Sequence, residues 1–353
     1  MLGDAPGADG QWRSAYSMRQ EAAGKQWHPR FGWLPKSHVA RYDEGHRFYK
    51  GQWLSPEREA ELRGALGRGW QVESEHFTVT SYAGLEAGVV LSLKLERLHR
   101  VWQQLFIRYL LSEADLAKWL DGRAAPPAAK RHDVVFFRDR PQYVDALRAK
   151  QPRIDGTLGI YFDHDRRSYF YAGREVDEAA VVFHEAAHQL FQESRRTPDN
   201  VGRLGNFWIV EGIACYLESL HFHDDFADLG SPGAGRLPAA RQRLLADGFY
   251  EPLATVVRWN TEAIQQRPDI GRLYSQFAGQ ATFLMQGAEG KYREPLLAYL
   301  SAVYHGRAQP ETLARLTGAG YDQLDLEYRA FLAELVPRAA LAPPDAVTPL
   351  PGE

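Results

Sequence analysis

The sequence predicts an α+β fold, with a small mixed sheet in the first half of the chain and a mostly helical C-terminal half. Three observations predict it. Short runs rich in aromatic and β-branched residues stand at His76–Ser81, Val134–Phe137, Leu158–Phe162 and Ser168–Ala172. A run from Asp177 to Glu193 holds no Gly or Pro and opens on acidic residues, as a helix N-terminus prefers. Beyond Asn206, apolar residues recur at helical spacing in one segment after another.

In chain order, residues 1–30 are polar and Gly-rich and are expected to be poorly ordered. Phe31 to Trp53 is aromatic and basic, including Arg47-Phe48-Tyr49-Lys50-Gly51-Gln52-Trp53. Asp43 and Glu44 within it argue against nucleic-acid stacking and for a small β-ribbon packing its rings on the body. Ser55-Pro56-Glu57 reads as an N-cap with Pro in the first turn. After the strand His76–Ser81, a long helix is expected over Leu85–Leu111, its stripe built from Val89, Leu93, Leu95, Leu98, Trp102, Leu105 and Phe106. Asp121–Lys130, with Pro126-Pro127, reads as a loop, and Pro141–Lys150 as a helix. Gly230–Gly235 is a further loop, followed by helices near Ala239–Ala246, Pro252–Val257, Tyr274–Gln286, Glu294–Tyr304, Pro310–Leu316 and Tyr321–Leu335. The Pro-rich end reads as a solvated tail. The expected organisation is an N-terminal extension over 1–71, a catalytic domain over 72–337 and the tail over 338–353.

Composition fits a folded enzyme without specifying one: 353 residues, 44% hydrophobic and 25% charged. A net charge of −3 argues against nucleic acid or an anionic membrane as the main partner. A single cysteine, Cys215, excludes an internal disulfide and a thiolate-built zinc site, and reads as a small buried hydrophobe. No apolar run approaches the ~20 residues that span a bilayer. The start, Met1-Leu2-Gly3-Asp4-Ala5-Pro6-Gly7, lacks the basic-then-apolar layout of a secretory signal.

The chemistry centres on His184-Glu185-Ala186-Ala187-His188. On a helix, residues four apart share a face, so both imidazoles can reach one metal ion. Glu185 projects from nearly the same edge, where it can handle the proton of an activated water. The flanks, Ala179-Ala180-Val181-Val182-Phe183 and Gln189-Leu190-Phe191, are apolar almost all round, which describes a buried helix. The plain alternative is a pair of core histidines bonded to backbone. A second signal is Phe207-Trp208-Ile209-Val210-Glu211-Gly212-Ile213-Ala214-Cys215-Tyr216-Leu217-Glu218. Twenty-two residues separate His188 from Glu211, enough to end one helix near Ser194, turn through Thr197–Asn200, and begin another near Asn206. A returning helix can offer Glu211 as a third protein ligand, the small Ala186, Ala187, Gly212 and Ala214 allowing close packing.

These two segments resemble the gluzincin metallopeptidases, whose third zinc ligand is a glutamate on the helix after the H-E-x-x-H helix. Trp208-x-x-Glu211-Gly212-x-Ala214-x-Tyr216-x-Glu218 is similar to the corresponding segment of the gluzincin aminopeptidases. It is more similar still to the bacterial peptidase-MA-like proteins, with a weaker likeness from about His76 to Leu335. The resemblance implies a zincin-like fold, one Zn²⁺ held by His184, His188 and Glu211, Glu185 as general base, and export from the cytoplasm.

Two departures stand out. The position at which thermolysin-like enzymes carry an Asp that orients a zinc-bound His is Cys215, leaving Glu218 or a backbone carbonyl for that role. The G-x-M-E-N segment with which the aminopeptidases grip a substrate N-terminus is not found, so aminopeptidase specificity is not implied. The oxyanion-stabilising Tyr of those enzymes has its counterpart in Tyr274, one of 17 tyrosines here, most of them packing residues.

Ser168, Tyr169, Phe170 and Tyr171, in the strand directly before the motif helix, are expected to form the sheet edge that pairs with extended substrate. His164 between Asp163 and Asp165 reads as a solvated turn, and His221-Phe222-His223-Asp224-Asp225 as a helix exit rather than a metal site. The functional expectation is a zinc-dependent peptidase acting on a peptide or protein substrate through an activated water. Two alternatives stay open: a scaffold on the same fold that binds rather than cleaves, and a zinc hydrolase of a non-peptide bond.

Overall fold

The computed structural model describes residues 4–6, 12–123, 130–173, 178–195, 197–198, 201–224 and 226–335. The protein is a mixed α+β molecule that divides into two compact units, Met1–Arg196 and Thr197–Glu353. The segment expected as one catalytic domain, 72–337, falls across both. The Pro-rich tail and the Pro126-Pro127 loop lie outside the described residues.

The first unit is built on a five-stranded sheet: β1 (Trp70–Glu73), β2 (Phe77–Ser81), β3 (His132–Phe137), β4 (Ile160–Phe162) and β5 (Arg167–Tyr171), in the order β4-β5-β3-β2-β1. The three central strands run parallel, with Val79 opposite Val134 and Val135 opposite Tyr169, and each edge strand is antiparallel to its neighbour. Parallel neighbours need crossover helices. These are α1 (Leu85–Leu105) between β2 and β3 and α2 (Arg140–Leu147) between β3 and β5. Asp139 caps α2, its carboxylate accepting from Gln142 N.

Alternation along the strands then sorts the side chains onto two faces. Val135, Phe137, Tyr169 and Tyr171 pack with Tyr143, Val144 and Leu147 of α2. The opposite face takes α3 (Glu178–Glu193), the motif helix, whose Gln189 meets Ser168 of β5. Phe191 of α3 sits edge-on to Trp102 of α1 and to Phe106 and Tyr109 just beyond it. The Tyr109 hydroxyl donates to the Phe191 carbonyl at 2.8 Å.

Much of the N-terminal segment is ordered, contrary to expectation: a helix runs over Ala15–Ala22 and a hairpin joins Lys25–His28 to Gly32–Pro35. The aromatic stretch does form a ribbon, Arg47–Tyr49 against Gln52–Leu54. Its rings build a small core of Phe31, Leu34 and Tyr42 with Phe48 and Trp53, and the Arg47 guanidinium lies 4.4 Å from the Phe31 ring centre. Ser55 caps the helix Pro56–Arg63. The helix expected to end at Leu111 stops at Leu105, with a separate turn over Ile107–Leu110.

The second unit is nearly all helical. Its centre is α4 (Phe207–Leu217), which packs along α6 (Ile270–Gly290), and its other long helices are α5 (Leu237–Leu245), α7 (Arg293–Tyr304) and α8 (Tyr321–Glu334). All eleven residues of α4 are buried. At its N-terminus the Asn206 and Phe207 amides donate to the carbonyls of Val257 and Trp259. Asn206 sits at φ 59°, and its side chain accepts from Tyr299, which in turn accepts from Trp208 Nε1. Helix α6 begins four residues before Tyr274 and contains a non-helical turn at Gly287–Glu289. Among the described residues no helix is long and apolar enough to cross a membrane.

Candidate metal centre

Residues four apart on α3 do face the same way. His184 and His188 bring their Nε2 atoms to 3.1 Å, with ring planes crossed at 81°. Two imidazoles on one tetrahedral Zn²⁺, at Zn–N of about 2.0–2.1 Å, place their nitrogens roughly 3.3 Å apart. The pair is therefore already at the spacing a shared ion needs, and both rings are half-buried rather than sealed in the core.

Glu185, also half-buried, sends its Oε2 to the backbone N–H of Tyr161 in β4, at 2.9 Å. Gly159 makes room for this approach: a Cβ there would stand 3.3 Å from Glu185 Cγ and 3.1 Å from both Val181 and Phe170. At the far end of α3 a buried polar cluster ties the helix to the sheet. Glu193 accepts from His132 Nδ1 at 2.9 Å, from Gln189 Nε2 at 3.1 Å and from the Tyr161 hydroxyl at 3.3 Å. Burial, reinforced by the Glu193 carboxylate beside it, pushes the Tyr161 phenol far above its ordinary range, so it remains a donor. Gln189 also takes the Ser168 hydroxyl at 2.9 Å and donates to the Asp133 carbonyl at 3.0 Å.

The edge strand is not the one the sequence suggested. Ser168, Tyr169, Phe170 and Tyr171 lie in β5, hydrogen-bonded on both sides, and all four are buried. The edge on that side of the sheet is β4, Ile160–Phe162, and the opposite edge is β1. A continuous buried run marks an internal strand covered on both faces, and that signal was present in Ser168-Tyr169-Phe170-Tyr171.

In the second unit, Glu211 is buried within α4, at 6% exposure. Gly212 has a packing reason to be small: a Cβ there would lie 2.8 Å from the Phe277 carbonyl of α6. Cys215 is buried and in no disulfide, as expected of a small buried side chain. Both oxygens of Glu218 are engaged by Arg236, at 2.7 Å from Nε and 2.9 Å from Nη2. Tyr274 is half-buried near the start of α6, with the Arg236 guanidinium 5.7 Å from its ring centre. Burial alone would lower the Arg236 pKa, but its electrostatic interaction with Cys215, its hydrogen-bonded pairing with Glu218 and the Glu211 carboxylate outweigh this and raise it. Arg236 was invisible to sequence reasoning, since it follows a Gly/Pro loop and belongs to no local pattern.

A further His/Glu group, His76, Glu96 and His99, has possible ligand atoms within 4.8 Å of one another. Its geometry is that of a clamp. The Glu96 carboxylate accepts from the His76 backbone N–H at 2.7 Å and from its Nδ1 at 2.8 Å. The His76 and His99 rings are stacked at 3.7 Å and 18°, so their in-plane lone pairs run side by side instead of converging. His164 is exposed between Asp163 and Asp165, as expected of a solvated turn, whereas His223 bonds Asp228 in a short hairpin, His221–Phe222 with Ala227–Asp228, where a helix exit was expected. No protein-family model matches this chain, and no curated protein matches it.

Proposed function

We propose that the protein is a zinc-dependent peptidase of the gluzincin type on a zincin-like fold. The observation that carries this reading is the His184–His188 pair, its two Nε2 atoms 3.1 Å apart on a helix that also presents Glu185. The third protein ligand, Glu211, is taken from the sequence, by the spacing between the two motif segments and their resemblance to the gluzincins. A fourth position would remain for water. When bound, the ion supplies Lewis acidity, polarising the scissile carbonyl and making water acidic near neutral pH.

The chain's own residues do the rest. Glu185 takes the proton of the attacking water and hands it to the leaving amine. Tyr274 donates a hydrogen bond to the oxyanion of the tetrahedral state. The free edge of β4 pairs with extended substrate, in place of β5. Glu185→Gln keeps the metal ligands and removes the base. It should retain zinc while turnover of a quenched peptide library falls by roughly 10²–10⁴-fold. Full, chelator-sensitive activity in that variant would overturn the assignment.

One observation favours a second reading. Two neutral imidazoles 3.1 Å apart can hydrogen-bond each other directly, and Glu185 is satisfied by a backbone N–H, so a metal-free scaffold could hold the same arrangement. Metal analysis of the purified chain separates the two.

A further inference from the structure

The Tyr161 N–H that binds Glu185 has a direction, and the direction matters. In an antiparallel pair, successive residues turn their backbone groups alternately toward and away from the partner strand. Tyr161 lies opposite Ser168, yet its N–H goes to Glu185 and not to β5. The pair Tyr161–Ser168 is therefore the non-hydrogen-bonded one, and Tyr161 is the residue of this three-residue strand whose N–H points out along the free edge. An incoming strand needs that donor. It is held by the carboxylate that the proposed chemistry requires as its base.

We infer that the Tyr161 N–H is a latch on Glu185, released when an extended polypeptide pairs with β4. The substrate's own carbonyl takes the N–H, and the carboxylate turns free to reach the attacking water. Strand pairing and arming of the base are then one event. The Tyr161 phenol, held by Glu193 two turns further along α3, keeps the strand in register with the helix while the latch opens. The substrate class follows: chains long enough to present a backbone carbonyl to Tyr161, cleaved in preference to dipeptides. This inference rests on the peptidase reading above.

The test deletes the N–H alone. Tyr161 is replaced by its α-hydroxy acid analogue through nonsense suppression, which turns the amide into an ester and leaves the phenol. Wild type and variant are compared on fluorescein-labelled casein and on a blocked Gly-Leu dipeptide amide. The ester chain should cleave the dipeptide faster, and its preference for casein should collapse by about ten-fold, the worth of one hydrogen bond. An unchanged preference in the ester chain, or an equal loss on both substrates, overturns the latch.

Amide hydrogen exchange reads the contact without any activity. Exchange at Tyr161 should quicken by about ten-fold in Glu185→Ala, as expected for loss of a protecting bond. Unchanged exchange overturns the latch while leaving the peptidase reading intact. Absence of cleavage by the wild-type chain overturns both.

Discussion

The helices that carry the candidate ligands are held by different physics. The motif helix α3 is positioned by directed hydrogen bonds: Gln189 to Ser168 and the Asp133 carbonyl, Glu193 to His132 and Tyr161. Its motif face, His184, Glu185 and His188, stays half-buried. Helix α4 makes its fit by excluded volume, with every side chain buried and Gly212 pressed against the Phe277 carbonyl. A helix fixed by polar bonds can leave one face open for chemistry. A helix fixed by packing can hold a buried carboxylate such as Glu211 in one place, because its neighbours leave no other. The first should be sensitive to loss of polar partners, the second to added volume.

The largest effect is expected at Gly212. Gly212→Val puts branched carbon where a Cβ alone would already stand 2.8 Å from backbone oxygen. It should cost roughly 3 kcal/mol or more, read as a drop in thermal midpoint of the second unit's helices. A neutral result would show that α4 and α6 are less closely packed than described. Next comes Glu193→Leu, which strips His132 of its partner inside the first unit, where the two side chains are only 5% and 2% exposed. Leaving a buried polar group unpaired costs roughly 2–3 kcal/mol, measured by urea unfolding. If the variant is as stable as wild type, α3 is not held by its polar ties.

At neutral pH the smallest effect is in the first unit, where it appears as a slope on acidification. Burial, and then the charge of His76, pushes the His99 pKa down to about 3. Glu96 opposes this, and His132, Phe77 and Trp102 complete the ring's surroundings. The folded imidazole thus stays neutral where the unfolded one takes a proton, near pH 6.5. Unfolding binds the proton, so His99's contribution is intact above pH 6.5 and is lost as pH falls towards 3, by up to about 1.4 kcal/mol per pH unit. His99→Leu should flatten the stability profile across that window, and an unchanged slope would contradict the assignment.

Local structure was legible and long-range order was not. The spacing of His184, Glu185 and His188, the acidic opening of α3 and its end near Ser194 could all be read from neighbouring residues. So could the Ser55 cap and the aromatic ribbon. The helix Glu113–Leu120 was missed although Ser112 signals its start, the Ser hydroxyl accepting from Asp115 N. Strand order was misjudged because proximity in sequence stood in for proximity in the sheet: β5 directly precedes α3, but β4 folds back outside it. The close approach of Gly212 to Phe277 was hidden for a similar reason, since Phe277 is 65 residues away. The tie of Tyr161 to both Glu185 and Glu193 depends on a strand crossing a helix, and no window of sequence contains it.

Zinc stoichiometry in purified protein tests the central claim most directly. Elemental analysis of the wild-type chain, set beside His184→Ala and Glu211→Ala, should give one zinc per wild-type chain and far less in each variant, with circular dichroism showing the fold retained. A metal-free wild-type chain, or a Glu211→Ala chain that keeps its full zinc content, would contradict the account.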